Sequence, residues 1–413
     1  MISAAGTKRV QRSYGGHAKH FGGLHCTDDW ARWLRQRTVA EGATEAARCA
    51  LVEPFPLRSA REPSSTSGSS RRSVHEPSIA SASYRREPSA GAVLMAVALG
   101  VSVSDSSCGL VRSALRLGWH LIIGTGAYKG FKSKFDGALR MLDHVSDQQL
   151  AVFGDLDMIV QQPPEHVTSL VNQELLHADE LLWSAEGGCF PQGGWPYNLG
   201  LRGAVCEQAA PKALGGRWLN SGGYAGPARA VAGALRAMAA SYARDDGSPC
   251  AFAGDQWYAT ALALRSPARH RLNTDARVFY TSPNLAHVSL HAISDGRGNR
   301  TAFCFAGEGK SDARHCPAFM HFTGGSKHRV LPHMAHALGL APWSKPPEYG
   351  PLAKSVLKMI WGRKYVEDGW RVLRETAPPV DCGHGQLTLV DAHTGKSASE
   401  TENREFVRRC GCL

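Results

Sequence analysis

Between residues 91 and 160 the chain alternates short apolar runs with amphipathic stretches, and few architectures accommodate that rhythm. AVLMAVAL is followed by SCGLVRSALRLG, WHLIIGTG by KSKFDGALRMLDHV, and then comes QQLAVFGDLDMIV. The apolar runs have the length and the Val, Ile and Leu content of strands buried on both faces, and the stretches between them space their apolar residues as helices do. Strands joined by helices pair in parallel, so the expected class is α/β: a mostly parallel central sheet with helices on both faces. PEHVTSLVNQELLHA (helix), ELLWSAEGG (strand) and ARAVAGALRAMAASYARD (helix) continue the pattern. In such a sheet ligands collect at the carboxyl ends of the strands.

The folded region is expected over residues 91–345. Ahead of it, residues 61–90 read REPSSTSGSSRRSVHEPSIASASYRREPSA, with EPS three times and Ser throughout. Such a stretch buries too little apolar surface to offset its ordering entropy, so residues 1–90 are expected to be disordered or low-complexity, with at most one short helix in WARWLRQRTVAEGATEAARCALV. After Trp343, Pro and Gly punctuate a charged segment, and residues 346–413 read as a C-terminal extension with one helix, AKSVLKMIWGRKYVEDGWRVLRE.

The net charge of +11 is unevenly spread: residues 1–90 hold 14 Lys and Arg against 8 Asp and Glu, which leaves the folded body only mildly basic. Without a basic stripe interleaved with aromatics, an anionic small ligand is expected and a nucleic acid is not. The 11 cysteines form no CxxC pair and no zinc spacing, but their number permits disulfides in an oxidising compartment, such as Cys304 with Cys316, or Cys382 with one of Cys410 and Cys412. Spacing alone leaves the connectivity open. No stretch reaches the ~20 apolar residues of a membrane helix. GAVLMAVALGVSV (residues 91–103) suits a buried strand, and the first residues lack the apolar run of a secretion signal.

In AVFGDLDMIV (residues 151–160), Asp155 and Asp157 stand two positions apart in an otherwise apolar run. Buried carboxylates need pairing, hydrogen bonds or a metal. A strand that ends in GDLD puts both at the ligand-binding rim, where a hard divalent cation could neutralise them. Taken alone, the same residues equally suit a turn Asp and a helix N-cap.

Four further stretches join this one. LLWSAEGGCFP runs a strand into a turn with Glu186 at its tip, and GRWLNSGGYAGPA presents Asn220, Ser221, Gly222 and Gly223 as a turn before a helix. AGDQWYAT starts a helix with Asp255 and Gln256, and MHFTGGSKH ends a strand with His321, Gly324, Gly325 and Lys327. Each alone has an ordinary structural reading: a helix-dipole acid for Asp255, a satisfied histidine for His321, a solvated lysine for Lys327. As an ordered set over about residues 92–343 they resemble the glycosyltransferase domain of the procollagen lysyl hydroxylases and related collagen glycosyltransferases. That family's marks are an acidic strand end, an SAE…CWP turn, an LNSGG turn, a DQ helix start and a His-x-Asn-Gly…Lys strand end.

The resemblance implies a GT-A-like nucleotide-sugar-binding fold. It implies Mn²⁺ held by Asp155, Asp157 and His321, with Asp157 and His321 the matched ligands and Asp155 offset by one from the family's second acid. It also implies contacts to a UDP-sugar from Lys132, Asp155, Asn220, Ser221, Gly222, Gln256, Gly324 and Lys327. Lys132 and Lys134 both fall in the family's nucleotide-contacting lysine segment. GTGAYKGFKS there fails the phosphate-loop spacing, because Phe131 separates Gly130 from Lys132. Asp255 and Glu186 are the catalytic candidates: base on the acceptor hydroxyl in an inverting enzyme, sugar-orienting carboxylates in a retaining one. The chain departs from the family with DxD for DxxD, one acid before Gln256, Phe190 for Trp and Thr323 for Asn.

The expected activity is thus metal-dependent transfer of glucose or galactose from a UDP-sugar to a hydroxyl acceptor on a protein or glycopeptide. Hydroxylysine and galactosyl-hydroxylysine are the acceptors implied, with work in the secretory pathway. Hydroxylation is not expected, since no His-x-Asp…His iron triad follows Trp343. A non-catalytic nucleotide-sugar-binding module and a nucleotide hydrolase or kinase are the competing readings, the latter weakened by the missing phosphate loop.

Overall fold

The structure is a computed structural model that describes residues 91–100, 105–188, 216–244, 254–281, 288–295, 298–305, 315–324, 330–340, 382–383 and 385–412. The low-complexity segment 1–90, the helix expected in 353–375, Phe190, Gly325 and Lys327 lie outside the described residues.

The expected alternation is realised as β1 (Val93–Leu99), α1 (Asp105–Arg116), β2 (His120–Gly126), α2 (Phe131–Leu142), β3 (Leu150–Gly154), β4 (Met158–Val160), α3 (Pro164–Glu174) and β5 (Leu181–Glu186). There follow β6 (Trp218–Pro227), α4 (Ala228–Arg244), α5 (Gly254–Arg265), β7 (His270–Asn273), β8 (Phe279–Thr281), β9 (Val288–Asp295), β10 (Gly298–Phe305), β11 (Phe319–His321), α6 (Leu331–Ala337), β12 (Gln386–Asp391) and α7 (Glu400–Arg409). The main sheet has seven strands in the order β12-β2-β1-β3-β6-β5-β7. Every pairing in it is parallel except the two made by β6, which runs against β3 and β5. A second, three-stranded sheet has the order β4-β11-β8, and β9 with β10 makes a two-stranded ribbon.

Leu94 and Ala96 of β1 pack with Leu110, Val111 and Ala114 of α1 in one core. Val97, on the opposite side of the pleat, lies near Gly137 of α2. One strand thus serves two helices, which explains why its sequence is apolar without alternation. No helix among the described residues is long and apolar enough to cross a membrane.

Two segments differ from the sequence reading. The stretch LNSGG lies inside β6 and is not a turn. Glycines favour turns in general, but here they let the backbone pass directly beneath Met158, Phe279 and His321, whose atoms crowd the places side chains would take. Residues 386–391, set by the sequence in a C-terminal extension, form the edge strand β12, paired in parallel with β2. α7 behind it opens with a capping box between Ser399 and Glu402.

Two disulfides secure this end: Cys108–Cys410 ties α1 to the end of α7, and Cys382–Cys412 closes on itself the C-terminal strap that carries β12 and α7; elsewhere Cys304–Cys316 links β10 to the approach of β11. Cys108 is the partner that spacing could not reveal. Buried Arg112 of α1 donates to the carbonyl of Cys410 at the end of α7 and to that of Leu340, just after α6.

Loop entropy makes the bridge spanning 302 residues worth more than the one spanning 12. Replacing Cys108 and Cys410 by Ser is expected to cost about 5 kcal/mol of unfolding free energy, against about 3 kcal/mol for Cys304 and Cys316, as urea titrations would measure. A second expectation comes from His270, whose Nδ1 accepts a hydrogen bond from Trp183 Nε1 at 2.9 Å. Burial, with Arg269 adding to it, pulls its pKa down to about 4. The neutral ring is the folded form, so unfolding takes up a proton once the pH falls below the free value of ~6.5. Its stabilising share is complete above that pH and is lost down to about pH 4. The protein should therefore lose about 3 kcal/mol over that interval relative to a His270→Asn variant, in denaturation measured at stepped pH.

Candidate metal centre

The chain leaves the main sheet at Gly154, the last residue of β3, and enters the small sheet at Met158, the first of β4. Asp155 and Asp157 occupy the step between them. The step is fixed by the backbone: Asp155 N–H donates to the Gly222 carbonyl (2.9 Å), and Phe322 N–H donates to the Asp157 carbonyl (3.0 Å). β11 pairs antiparallel with β4 so that His321 stands opposite Met158. Residues far apart in sequence therefore meet at one point. His321 Nε2 lies 3.3 Å from Asp157 Oδ1 and 3.7 Å from Asp155 Oδ2. One ligand atom from each of the three falls within 4.8 Å of the others.

Two carboxylate oxygens and an imidazole nitrogen are a donor set that suits Mn²⁺ and other borderline divalent cations. Gly222 makes room for two of the three candidate ligands: a Cβ there would lie 2.2 Å from His321 Cε1 and 2.6 Å from Asp155 Oδ2. Burial by itself would lower the His321 pKa, but the Asp157 hydrogen bond and the charges of Asp157, Asp155 and Glu186 raise it above the ordinary value. The pocket thus attracts positive charge strongly enough to overcome desolvation.

Behind this triad runs a chain of buried amides. Gln256 Nε2 donates to Glu186 Oε1 (2.5 Å), Asn220 Nδ2 donates to Gln256 Oε1 (3.2 Å), and Gly222 N–H donates to Asn220 Oδ1 (2.9 Å). Glu186 closes β5 and is buried rather than standing on an open turn; burial raises its pKa, while hydrogen bonds from Gln256 and Asn220 and the nearby His321 oppose the shift. Asp255 sits in the first turn of α5, as its sequence suggested. Ser221 borders a water-sized cavity of about 10 Å³ shared with Lys134, Asp255 and Tyr224. Gly324, exposed with φ +54°, follows three residues after His321.

Of the two lysines in the α2 segment, Lys132 points away and pairs with Asp136 at 2.6 Å on the exposed helix face. Residues two apart on a helix face nearly opposite ways, and it is Lys134 that enters the site. Its ammonium lies 2.9 Å from Asp155 Oδ1 and 2.5 Å from Asp255 Oδ2. Burial works against that charge, yet the two aspartates hold the Lys134 pKa well above the ordinary lysine value. A further rim residue went unremarked in the sequence: Tyr128, 49% exposed, stands in the β2–α2 turn, edge-on to Phe131. The charges of Asp255 and Lys134 reach it. Its signal was present in GTGAYKG, as an aromatic inside a glycine-flanked turn at a strand's carboxyl end.

No protein-family model matches this chain, and no curated protein does either.

A Mn²⁺ ion held by this candidate triad would be bound at least tenfold more weakly in Gly222→Ala, because the added methyl displaces His321 or Asp155 by more than coordination tolerates. Mn²⁺ titration followed by electron paramagnetic resonance measures it, with circular dichroism confirming that the variant is folded.

Proposed function

We propose that this chain is a Mn²⁺-dependent glycosyltransferase of the GT-A type, related to the glycosyltransferase domain of the procollagen lysyl hydroxylases. It would transfer glucose or galactose from a UDP-sugar to a hydroxyl of a protein or glycopeptide. The observation that carries this reading is the meeting of Asp155, Asp157 and His321 at a carboxyl rim of an α/β sheet. The DQ, SAE and LNSGG residues of the resemblance line the same place: Gln256 joins Glu186 to Asn220, beside Gly222.

In this reading Asp155, Asp157 and His321 hold the cation, whose charge would offset that of the departing diphosphate. Lys134 supplies a fixed positive charge beside it, and Tyr128 offers a ring face on which a nucleobase can stack. Gly222, by lacking a side chain, lets Asp155 and His321 come together around the cation. Asp255, bridged to Lys134, and Glu186, held by Gln256, are the carboxylates placed to take the acceptor proton or to orient the sugar. The three disulfides among the described residues fit a secretory compartment.

Mn²⁺ with UDP should raise the melting temperature, while GDP, ADP and ATP with Mn²⁺ should do so much less, and UDP-hexose hydrolysis should require Mn²⁺. Asp157→Asn is expected to lower that hydrolysis about 100-fold. Preferential stabilisation by ATP would point to a phosphate-handling enzyme, and UDP binding without turnover to a binding module.

A further inference from the structure

Lys134 shares one carboxylate with the candidate metal centre. It holds Asp155 by Oδ1, while Oδ2 of the same group faces His321 Nε2. The ammonium is kept there from three sides: Asp155, Asp255, and the ring of Phe153, whose centroid is 5.5 Å away. Its side chain is 20% exposed, so water screens it poorly. A fixed cation has been built against a site whose own chemistry is to take a cation.

We propose that Lys134 holds down the affinity of Asp155, Asp157 and His321 for a free divalent cation, and makes their occupancy depend on an anionic ligand of the nucleoside diphosphate class. This rests on the metal-centre reading given above. An ammonium already paired with Asp155 Oδ1 leaves less negative charge for Oδ2 to offer, and the like charges of Lys134 and the metal ion oppose each other in poorly hydrated surroundings. A diphosphate reverses the balance, since its negative charge is attracted by both cations and cancels their opposition. Metal and nucleotide then each bind better in the other's presence, with one coupling factor common to both. A lysine that merely oriented Asp155 would act the other way, because its removal would loosen a ligand and weaken the metal.

The experiment measures Mn²⁺ binding by electron paramagnetic resonance, with and without saturating UDP, on the full chain. Lys134→Met is expected to bind Mn²⁺ about tenfold more tightly without UDP, and to lose about the same factor from the enhancement that UDP brings. Lys134→Arg, which keeps the charge, should stay close to the unaltered protein. Lys134→Gln serves as a second neutral variant should the methionine protein fail to fold. Weaker or unchanged Mn²⁺ binding by a folded neutral variant would overturn the proposal and leave Lys134 a purely positioning residue. Absence of Mn²⁺ binding by the unaltered protein, seen in the same titration, would remove the metal reading and this inference with it.

Discussion

Two carboxylates two positions apart, set in an apolar step between two sheets, create a charge that the surrounding structure has to compensate. The main chain of Asp155 and Asp157 is held in place at both ends of the step, by hydrogen bonds to Gly222 and from Phe322. Lys134 answers one of them, and His321 lies against both. The elements that carry these partners, α2 and β11, reach the step from opposite directions in the chain. Their placement follows from the sheet topology, in which β4, β11 and β8 form a small sheet beside the end of β3.

Absence of side chains is as important here as their presence. β6 brings Asn220, Ser221, Gly222 and Gly223 under the triad in strand geometry, with a register shift against β5 between Trp183 and Ser184. A Cβ at Gly223 would lie 2.9 Å from Met158 and Phe279, so the strand can take this path only with glycine there. The same two glycines that a sequence reading assigns to a turn are what allow a strand to run within contact of His321. Local preference gave way to the close packing of a particular neighbour, which no window of sequence contains.

Much of the architecture was legible because helical and strand periodicities differ so plainly between residues 91 and 174. The DxD step, the DQ helix start and the end of β11 at His321 could also be read, since each lies at the boundary of a well-marked element. Less visible was which of two lysines faces inward: Lys132 and Lys134 are equivalent by composition, and only the way α2 lies on the sheet separates them. Edge pairing by β12 was hidden for a related reason. QLTLVD is a half-buried strand whose partner, His120–Gly126, is more than 250 residues earlier in the chain, and pairing over such separations leaves no local trace.

That late strand bears on the candidate site through the turn it supports. Ala392 N–H donates to the Thr125 carbonyl (2.8 Å), and His393 Nε2 lies 3.0 Å from the Ala127 carbonyl. Gly126 adopts φ +145°, and a Cβ there would lie 3.1 Å from the His393 ring. The turn braced in this way leads directly to Tyr128 and into α2, which carries Lys134. The tight loop behind it is held in turn by Asp391, whose Oδ1 accepts from the backbone N–H groups of His393 and Thr394. Because Cys108–Cys410 and Cys382–Cys412 fasten the strap to α1 and to itself, the chain's C-terminal residues act as a backing for the β2–α2 turn. Tyr128 on that turn and Lys134 in the first turn of α2 gain a rigid mounting by this route, and the most distant part of the sequence becomes part of what positions them.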